Sequence, residues 1–208
     1  ASWWERPQPR GIRKARHLDL LLPKEQVDAC LRRRGGFSPL CHFLTAFVDA
    51  IRERLELRAV DIVTHVEGRH EAASADLIGL MMNSVILRFT DLSGASLAAL
   101  QRSAEDQFVG ASMHCRIPYF ELRRLADPTI TTEDHRWPIM FSFQRSSQDG
   151  SLRERLGGGV RLRDSTEAGG LSSSKYALAG MVTEQAHDYR LTLQYDDSIA
   201  DRVDGIAE

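Results

Sequence analysis

Short segments of alternating apolar and polar residues recur along the chain, and this period of two predicts β-strands. The clearest segment is residues 84–90, in which Val85, Leu87 and Phe89 alternate with Ser84, Ile86 and Arg88. Similar short segments predict strands at residues 18–22, 60–66, 137–144, 175–183 and 189–195. The last two are close enough to form a hairpin through Gln185–Asp188.

Other segments repeat their apolar residues every three or four positions, which predicts helices. Ser38 and Pro39 form a helix start, with the serine as N-cap and the proline at the first helical position. The apolar residues that follow recur at helical spacing as far as Leu55 and predict a core helix. Four further helices are predicted. The first covers residues 24–34 and is terminated by Gly35 and Gly36, the second covers 97–111, a short one begins after Pro118, and the last covers 198–207. Leu122 and Leu125 of the short helix after Pro118 are expected to face the core.

The order of these elements predicts one folded domain without internal repeats. We expect an α/β (α+β) sandwich, a mixed sheet with helices packed on one face. Residues 1–16 are polar, contain Pro7 and Pro9, and are interpreted as a linker before the domain at 17–208. Residues 145–170 are polar and glycine-rich and are expected to form a mobile excursion, with a short strand at Val160–Arg163.

Composition is that of a soluble globular protein, with 42% hydrophobic and 27% charged residues in 208. The formal net charge of −2 argues against nucleic acid as a partner. Two basic runs stand out, Arg10–Arg16 and Arg32–Arg34. A solvated surface is the favoured interpretation of both, and a landing patch for an acidic partner is the alternative.

The cysteines and the apolar runs bear on the compartment. Cys30, Cys41 and Cys115 cannot all pair with one another and include no CxxC spacing, which favours a reducing cytoplasm. No apolar run approaches the length of a membrane span, and no hydrophobic signal segment is visible at the N-terminus. We therefore expect no membrane association.

One cluster of polar residues invites a metal interpretation: His65, Glu67, His70 and Glu71. They fall at a strand end and in a loop, with no cysteine or third histidine nearby in sequence. Zinc sites usually need a fuller ligand set. The four residues are therefore interpreted as polar side chains exposed to solvent, and no metal is predicted.

Three segments, taken in order, carry a resemblance to a known family. They are Ile78–Ser84 continuing through Leu87-Arg88, His114–Tyr119 followed by Glu121-Leu122, and Arg136–Gln144. Together they resemble the C-terminal half of the condensation domain of nonribosomal peptide synthetases. Further segments are similar to the same half: Trp3–Arg6, Val60–Arg69 and Tyr189–Asp201. The sequence departs from the family pattern at Met81, Met82, Cys115, Arg116, His135 and Trp137.

The resemblance implies a lobe of chloramphenicol acetyltransferase type. In the family, two such lobes enclose a tunnel into which carrier proteins insert phosphopantetheine arms, and an amide bond forms there. The catalytic signature, His-His-x-x-x-Asp-Gly, belongs to the N-terminal half. Here no two of the seven histidines are adjacent. The chain is therefore expected to supply one wall of the tunnel without the catalytic histidine, and to be inactive alone.

The resemblance also suggests roles for individual residues, each beside a structural alternative. Asn83 would face the tunnel, or its amide would hydrogen-bond to a turn. His114 would contact the tunnel or the other lobe, or would cap a helix end. Arg136 is a tunnel candidate and Arg69 a structural one, although a salt bridge is favoured for both. Arg13 and Arg16 are the candidates for holding the aspartate of the signature. No catalytic residue is assigned to the chain itself.

The implied partners are the N-terminal lobe of the same domain and peptidyl or acyl carrier proteins. No cofactor is expected to bind directly, since the phosphopantetheine arm arrives on the carrier. A lobe without its neighbour would expose apolar surface and self-associate. Three alternatives stay open: a non-catalytic docking domain of the same fold, an epimerization or heterocyclization relative, and a free-standing half that pairs with a separate chain.

Overall fold

The computed structural model describes residues 14–33, 36–68, 78–79, 81–126, 139–145 and 176–203. The strands are β1 (Ala15–Pro23), β2 (Val60–Glu67), β3 (Met82–Phe89), β4 (Ile139–Arg145), β5 (Leu178–Glu184) and β6 (Asp188–Asp196). The helices are α1 (Lys24–Arg33), α2 (Pro39–Arg54), α3 (Leu97–Met113), α4 (Tyr119–Ala126) and α5 (Ala200–Val203), the last preceded by a 3-10 turn at Asp197–Ile199.

The six strands form one mixed sheet in the order β1-β6-β5-β4-β2-β3. β2 and β5 each pair with β4 in parallel, and all other neighbours are antiparallel. The predicted hairpin of β5 and β6 is present. The expected α/β class, a mixed sheet with helices, is confirmed. The two edge strands of the sheet are β1 and β3.

One face of the sheet forms the hydrophobic core with the helices. In β3 the alternation predicted from the sequence is observed: Val85, Leu87 and Phe89 are buried against this core. α2 crosses the central strands, and the ring of Phe47 lies 5.2 Å from that of Phe141. Gly180, the β5 partner of Phe141, has no side chain and so leaves room for the Phe47 ring.

The start of α2 follows the predicted capping. The Ser38 side chain accepts a hydrogen bond from the Cys41 backbone N–H at 3.2 Å, and Pro39 occupies the first helical turn. This pairs one of the backbone donors that a helix start leaves free, while proline needs no partner there.

A cluster of polar side chains fixes α1 to the sheet. The Lys24 ammonium lies 2.5 Å from a Glu184 carboxylate oxygen and 5.4 Å from the centre of the Tyr189 ring. The Tyr189 hydroxyl donates to Asp28 at 2.8 Å. Burial first, and the neighbouring Asp28 second, raise the pKa of Tyr189, so the phenol stays protonated as a donor. α1 is thereby held on the same face as α2.

Three expectations need correction. Leu122 and Leu125 of α4 are 39% and 72% exposed rather than directed into the core. Ala15 and Arg16 belong to β1 rather than to a linker that ends at residue 16, because they pair with Asp196 and Tyr195. Where the helix at 198–207 was predicted, the described residues form a 3-10 turn that ends at Ile199 and then α5 as far as Val203, and the residues after it lie outside the described part of the chain.

Other expectations fall outside the described residues: the linker up to residue 13, the excursion after Arg145 and the strand at Val160–Arg163. Among the helices that the structure describes, none is both long enough and apolar enough to cross a membrane.

Candidate functional site

Asn83 lies in the edge strand β3, on the face that packs against the helices, opposite Val66 of β2. Its Nδ2 donates to the carbonyl oxygens of Cys115 at 2.6 Å and Ile117 at 2.8 Å. Its Oδ1 accepts from its neighbour Ser84 N–H at 2.8 Å and from the Tyr119 N–H at 3.3 Å. An amide has two donor hydrogens and two acceptor lone pairs, so all four are used.

These bonds connect β3 to the segment between α3 and α4. The segment at 114–118 is a turn rather than part of a regular helix. The Asn83 amide binds two of its carbonyl oxygens, those of Cys115 and Ile117, and also fixes the first turn of α4 through the Tyr119 N–H. The arrangement is the structural alternative considered for Asn83 from the sequence, and its amide has no hydrogen-bonding group left for a substrate.

His114 is the C-cap of α3, and its backbone N–H donates to the Ala111 carbonyl at 3.1 Å. The residue is exposed. It directly precedes Cys115, whose carbonyl Asn83 binds. The fold therefore brings two of the tunnel candidates to one place, at the junction of β3, α3 and α4.

Arg16 lies far from this junction, because β1 and β3 are opposite edges of the sheet. Five strand spacings of about 4.8 Å separate them, or about 24 Å. Its Nε donates to Asp197 at 2.6 Å, and both side chains are about half exposed. Such an exposed ion pair contributes little to stability. Arg13, Arg69 and Arg136 lie outside the described residues.

A histidine and a serine meet on the other face of the sheet. His65 Nδ1 lies 3.1 Å from the Ser84 hydroxyl oxygen, across the β2–β3 pair. Burial lowers the pKa of the half-buried His65, so the ring is neutral at pH 7. A nucleophile–base pair also needs a group that orients the imidazole, and the described residues place no carboxylate on this ring. The pair is best understood as a cross-strand contact.

The metal interpretation of the His65 cluster gains nothing from the structure. His65 binds Ser84, Glu67 is exposed at the end of β2, and His70 and Glu71 lie outside the described residues. Among the described residues, no group of three or more potential ligands is close enough together to hold a metal ion.

The three cysteines differ sharply in environment. Cys30 is exposed on α1, whereas Cys41 and Cys115 are buried. Burial raises the pKa of the Cys41 thiol to about 12, and its hydrogen bond to Glu105 adds to the effect. A thiol with so high a pKa is almost entirely protonated near neutral pH and is therefore a poor nucleophile.

This difference predicts selective alkylation of the native protein. At pH 8, iodoacetamide should modify Cys30 readily and Cys41 at least a hundredfold more slowly, because only about one Cys41 thiol in ten thousand is ionised. Peptide mass spectrometry after timed quenching measures both rates. In 6 M guanidinium the two rates should converge, and a Cys41 that reacts as fast as Cys30 in the native protein would contradict this assignment.

Comparison with known proteins identifies the fold. No protein-family model matches the sequence, and no curated protein matches it. Solved structures do match. The fold of the chain is that of one half of condensation-type domains, and this half is the acyltransferase-like lobe predicted from the sequence. The matches include a condensation domain, an epimerization domain and a cyclization domain, so the fold is common to several branches.

Three of these structures illustrate the similarity. One is a chain from the complex of the X-domain and OxyB from teicoplanin biosynthesis, with a TM-score of 0.70 and 15% identity over 96% of this chain and 45% of that one. The cyclization-docking bidomain of EpoB from Sorangium cellulosum has a TM-score of 0.67 and 19% identity, over 96% and 41%. The first condensation domain of the CDA synthetase has a TM-score of 0.62 and 16% identity, over 92% and 41%.

In each comparison nearly the whole of this chain is matched, while it spans less than half of the other. The fold of the chain therefore corresponds to one lobe.

No pattern in the sequence indicates that His42 of α2 and Gln101 of α3 lie at the same place in the fold. These residues line a cavity between α1, α2 and α3. Their polarity within amphipathic helices is typical of solvated positions, and nothing in the sequence shows that three helices converge there.

Proposed function

We propose that this chain is the C-terminal lobe of a condensation-type domain that joins carrier-bound acyl or aminoacyl groups by amide-bond formation in nonribosomal peptide biosynthesis. The observation that carries the proposal is the match of more than 90% of the chain to condensation-type structures of a little over twice its length. The order of the three sequence segments supports the same assignment, as does the absence of adjacent histidines from the sequence.

In this proposal the chemistry is divided between two lobes. The missing histidine motif supplies the proton acceptor for the amine that attacks the donor thioester. This lobe supplies a wall that holds two carrier-tethered reactants close to each other, and proximity is then the main source of rate. The role of Asn83 is to position the segment 114–119 at that wall, because its amide is fully engaged with backbone groups.

The test is reconstitution. The chain is mixed with an N-terminal lobe that carries His-His-x-x-x-Asp-Gly and with two loaded carrier proteins, and the carrier-bound product is followed by mass spectrometry. We expect amide product from the two lobes together and none from this chain alone. Alanine at the second histidine of the motif is the control and should remove the product. Turnover by the lone chain would disprove the division of labour.

A docking role is the second candidate, and one observation favours it. The X-domain neighbour was solved as a complex with a second protein, OxyB. A lobe of this fold that recruits a tailoring enzyme would bind its partner without forming bonds. Reconstituted lobes that bind each other and a partner enzyme, yet give no amide, would favour this candidate.

The exposed apolar side chains support a partner on the α3–α4 side. Five large apolar residues between positions 109 and 125 are at least 39% exposed: Val109, Met113, Ile117, Leu122 and Leu125. We name them the α3–α4 patch. Large apolar side chains that are exposed close together along the chain favour an interaction site, and we propose that this patch contacts the partner lobe or carrier.

The patch makes a prediction about the isolated chain. Met113 is 76% exposed and Leu125 72%, so both should contribute to self-association when no partner is present. Changing both to aspartate should convert an oligomer to a monomer, measured by light scattering at the same concentration. Leu21→Asp is the matched control, since Leu21 is 59% exposed on β1, and it should leave the mass unchanged. A monomeric native chain would contradict the prediction.

A further inference from the structure

A cavity lies between α1, α2 and the beginning of α3, separate from the junction around Asn83. Its volume is about 640 Å³, within the range typical of small-molecule sites. It exists because α2 presents Ala46 and Ala50 there, one helical turn apart. Two small residues on the same face leave a space that larger side chains would fill.

The walls are mostly apolar. The apolar side chains that line the cavity come from all three helices: Val27 and Leu31 of α1, Phe43 of α2 and Leu97 of α3. An organic ligand placed here would remove apolar surface from water on two sides. The apolar walls therefore favour a ligand with a hydrophobic body.

Two polar side chains at the walls lack hydrogen-bond partners. Gln101 of α3 is only 6% exposed, and its Nε2 has no partner. His42 Nδ1 lies 3.1 Å from the Ser38 carbonyl, which only accepts, so Nδ1 carries the proton. In the neutral ring Nε2 is then an acceptor, and it is buried without a partner. A buried polar group without a partner is costly, and a ligand can supply one.

The two groups together specify the polar part of the ligand. Gln101 offers an N–H donor, and the soft terminal torsion of glutamine allows it to turn toward the cavity. His42 offers an acceptor. A secondary amide has the matching groups, a carbonyl oxygen that accepts a hydrogen bond and an N–H that donates one.

Charge at the cavity restricts the ligand further. The described residues that line the cavity include the carboxylates Asp49 and Glu53 but no lysine or arginine. The guanidinium of Arg52, which does not line the cavity, pairs with Asp49 at 2.6 Å and also donates to the carbonyls of Leu92 and Ala95, so Glu53 is left as a cavity carboxylate without this counter-charge. An anionic ligand would therefore be repelled.

From these observations we infer that the cavity between α1, α2 and α3 is a binding site for an uncharged secondary amide with a hydrophobic body. The site is independent of the amide-forming role proposed above. It also has a built-in reporter, because the exposed Cys30 lies at its wall.

The first test compares three probes on the full chain: N-hexylbenzamide, hexyl benzoate and 4-hexylbenzoate. Calorimetry gives their affinities, and the rate of Cys30 alkylation reports occupancy of the cavity. We expect the amide to bind and to slow alkylation at least fivefold at saturation. The ester lacks the N–H and should bind about five- to tenfold more weakly. The anion should bind most weakly of the three. Equal affinities for amide and ester, or no protection of Cys30, would overturn the inference.

The second test uses variants. Ala46→Phe should fill the cavity and abolish amide binding, and Ala99→Phe is its matched control, because Ala99 is exposed on α3 and does not line the cavity. Gln101→Leu removes the donor to the carbonyl, which amide and ester share, and should weaken the binding of both. His42→Phe removes the acceptor of the N–H and should abolish the preference for amide over ester. Circular dichroism confirms that each variant is folded. Binding that survives in Ala46→Phe would refute the site, as would a native oligomer that Ala46→Phe converts to a monomer, because the cavity would then be an interface between copies.

Discussion

Replacing Asn83 with alanine is expected to lower the free energy of unfolding by about 2–4 kcal/mol. The substitution leaves the carbonyls of Cys115 and Ile117 and the N–H of Tyr119 without their partner. Cys115 is buried, so water cannot replace the amide there. Urea unfolding followed by circular dichroism measures the loss.

Two further substitutions sharpen this result. Met82→Ala changes the preceding residue of β3, which is 51% exposed, and should alter stability by less than about 0.5 kcal/mol. Asn83→Asp keeps two acceptor oxygens but removes both donors, so its carboxylate would face two carbonyls at neutral pH. It should be at least as destabilising as alanine. If Asn83→Ala proved as stable as Met82→Ala, the four hydrogen bonds would contribute nothing and a role in the tunnel would gain support.

Replacing Gly180 with valine is expected to cost about 3 kcal/mol. A Cβ at this position would lie 2.8 Å from Cε2 of Phe47 and 3.2 Å from Cδ2 of Phe141. Both rings are buried, so neither can move away freely. Valine is otherwise favoured in strands, and a loss of stability therefore isolates the steric cost. The same unfolding measurement applies.

A double-mutant cycle tests whether the Phe47 ring is the cause. Gly180→Ala alone should destabilise the protein, and combination with Phe47→Leu should recover at least about 1 kcal/mol of the summed losses. Gly110→Ala is the matched control. Gly110 lies within α3, with no atom within 4 Å of an added Cβ, so alanine should raise stability by about 0.5–1 kcal/mol. Additive losses in the cycle would contradict the proposed contact.

The elements predicted from the sequence agree with the structure wherever local patterns were strong. The strand at 84–90 and the helix after Ser38 correspond to β3 and α2, because period-two alternation and an N-cap followed by proline are local signals. The short helix after Pro118 was found, but its orientation was wrong. Leucines at helical spacing predict a buried face, and whether another element covers that face is a tertiary property.

The candidate site was predicted in part. The sequence singled out Asn83 and the segment from His114, and the structure brings them into contact. It did not decide between a tunnel residue and a structural amide, because three of the four partners of Asn83 are backbone groups more than thirty residues away. Arg16 was considered as a lobe contact. The structure adds that it forms an ion pair with Asp197, the residue directly after β6.

The sequence by itself determined the kinds of element, their order, the lobe-like fold class and the lack of adjacent histidines, because each depends on residues close together along the chain. Only the tertiary structure decided that the Asn83 amide is fully engaged, that α4 presents its leucines to solvent and that α1, α2 and α3 enclose a cavity. Hydrogen-bond partners and empty space arise where distant segments converge, and a linear pattern of side chains does not specify that convergence.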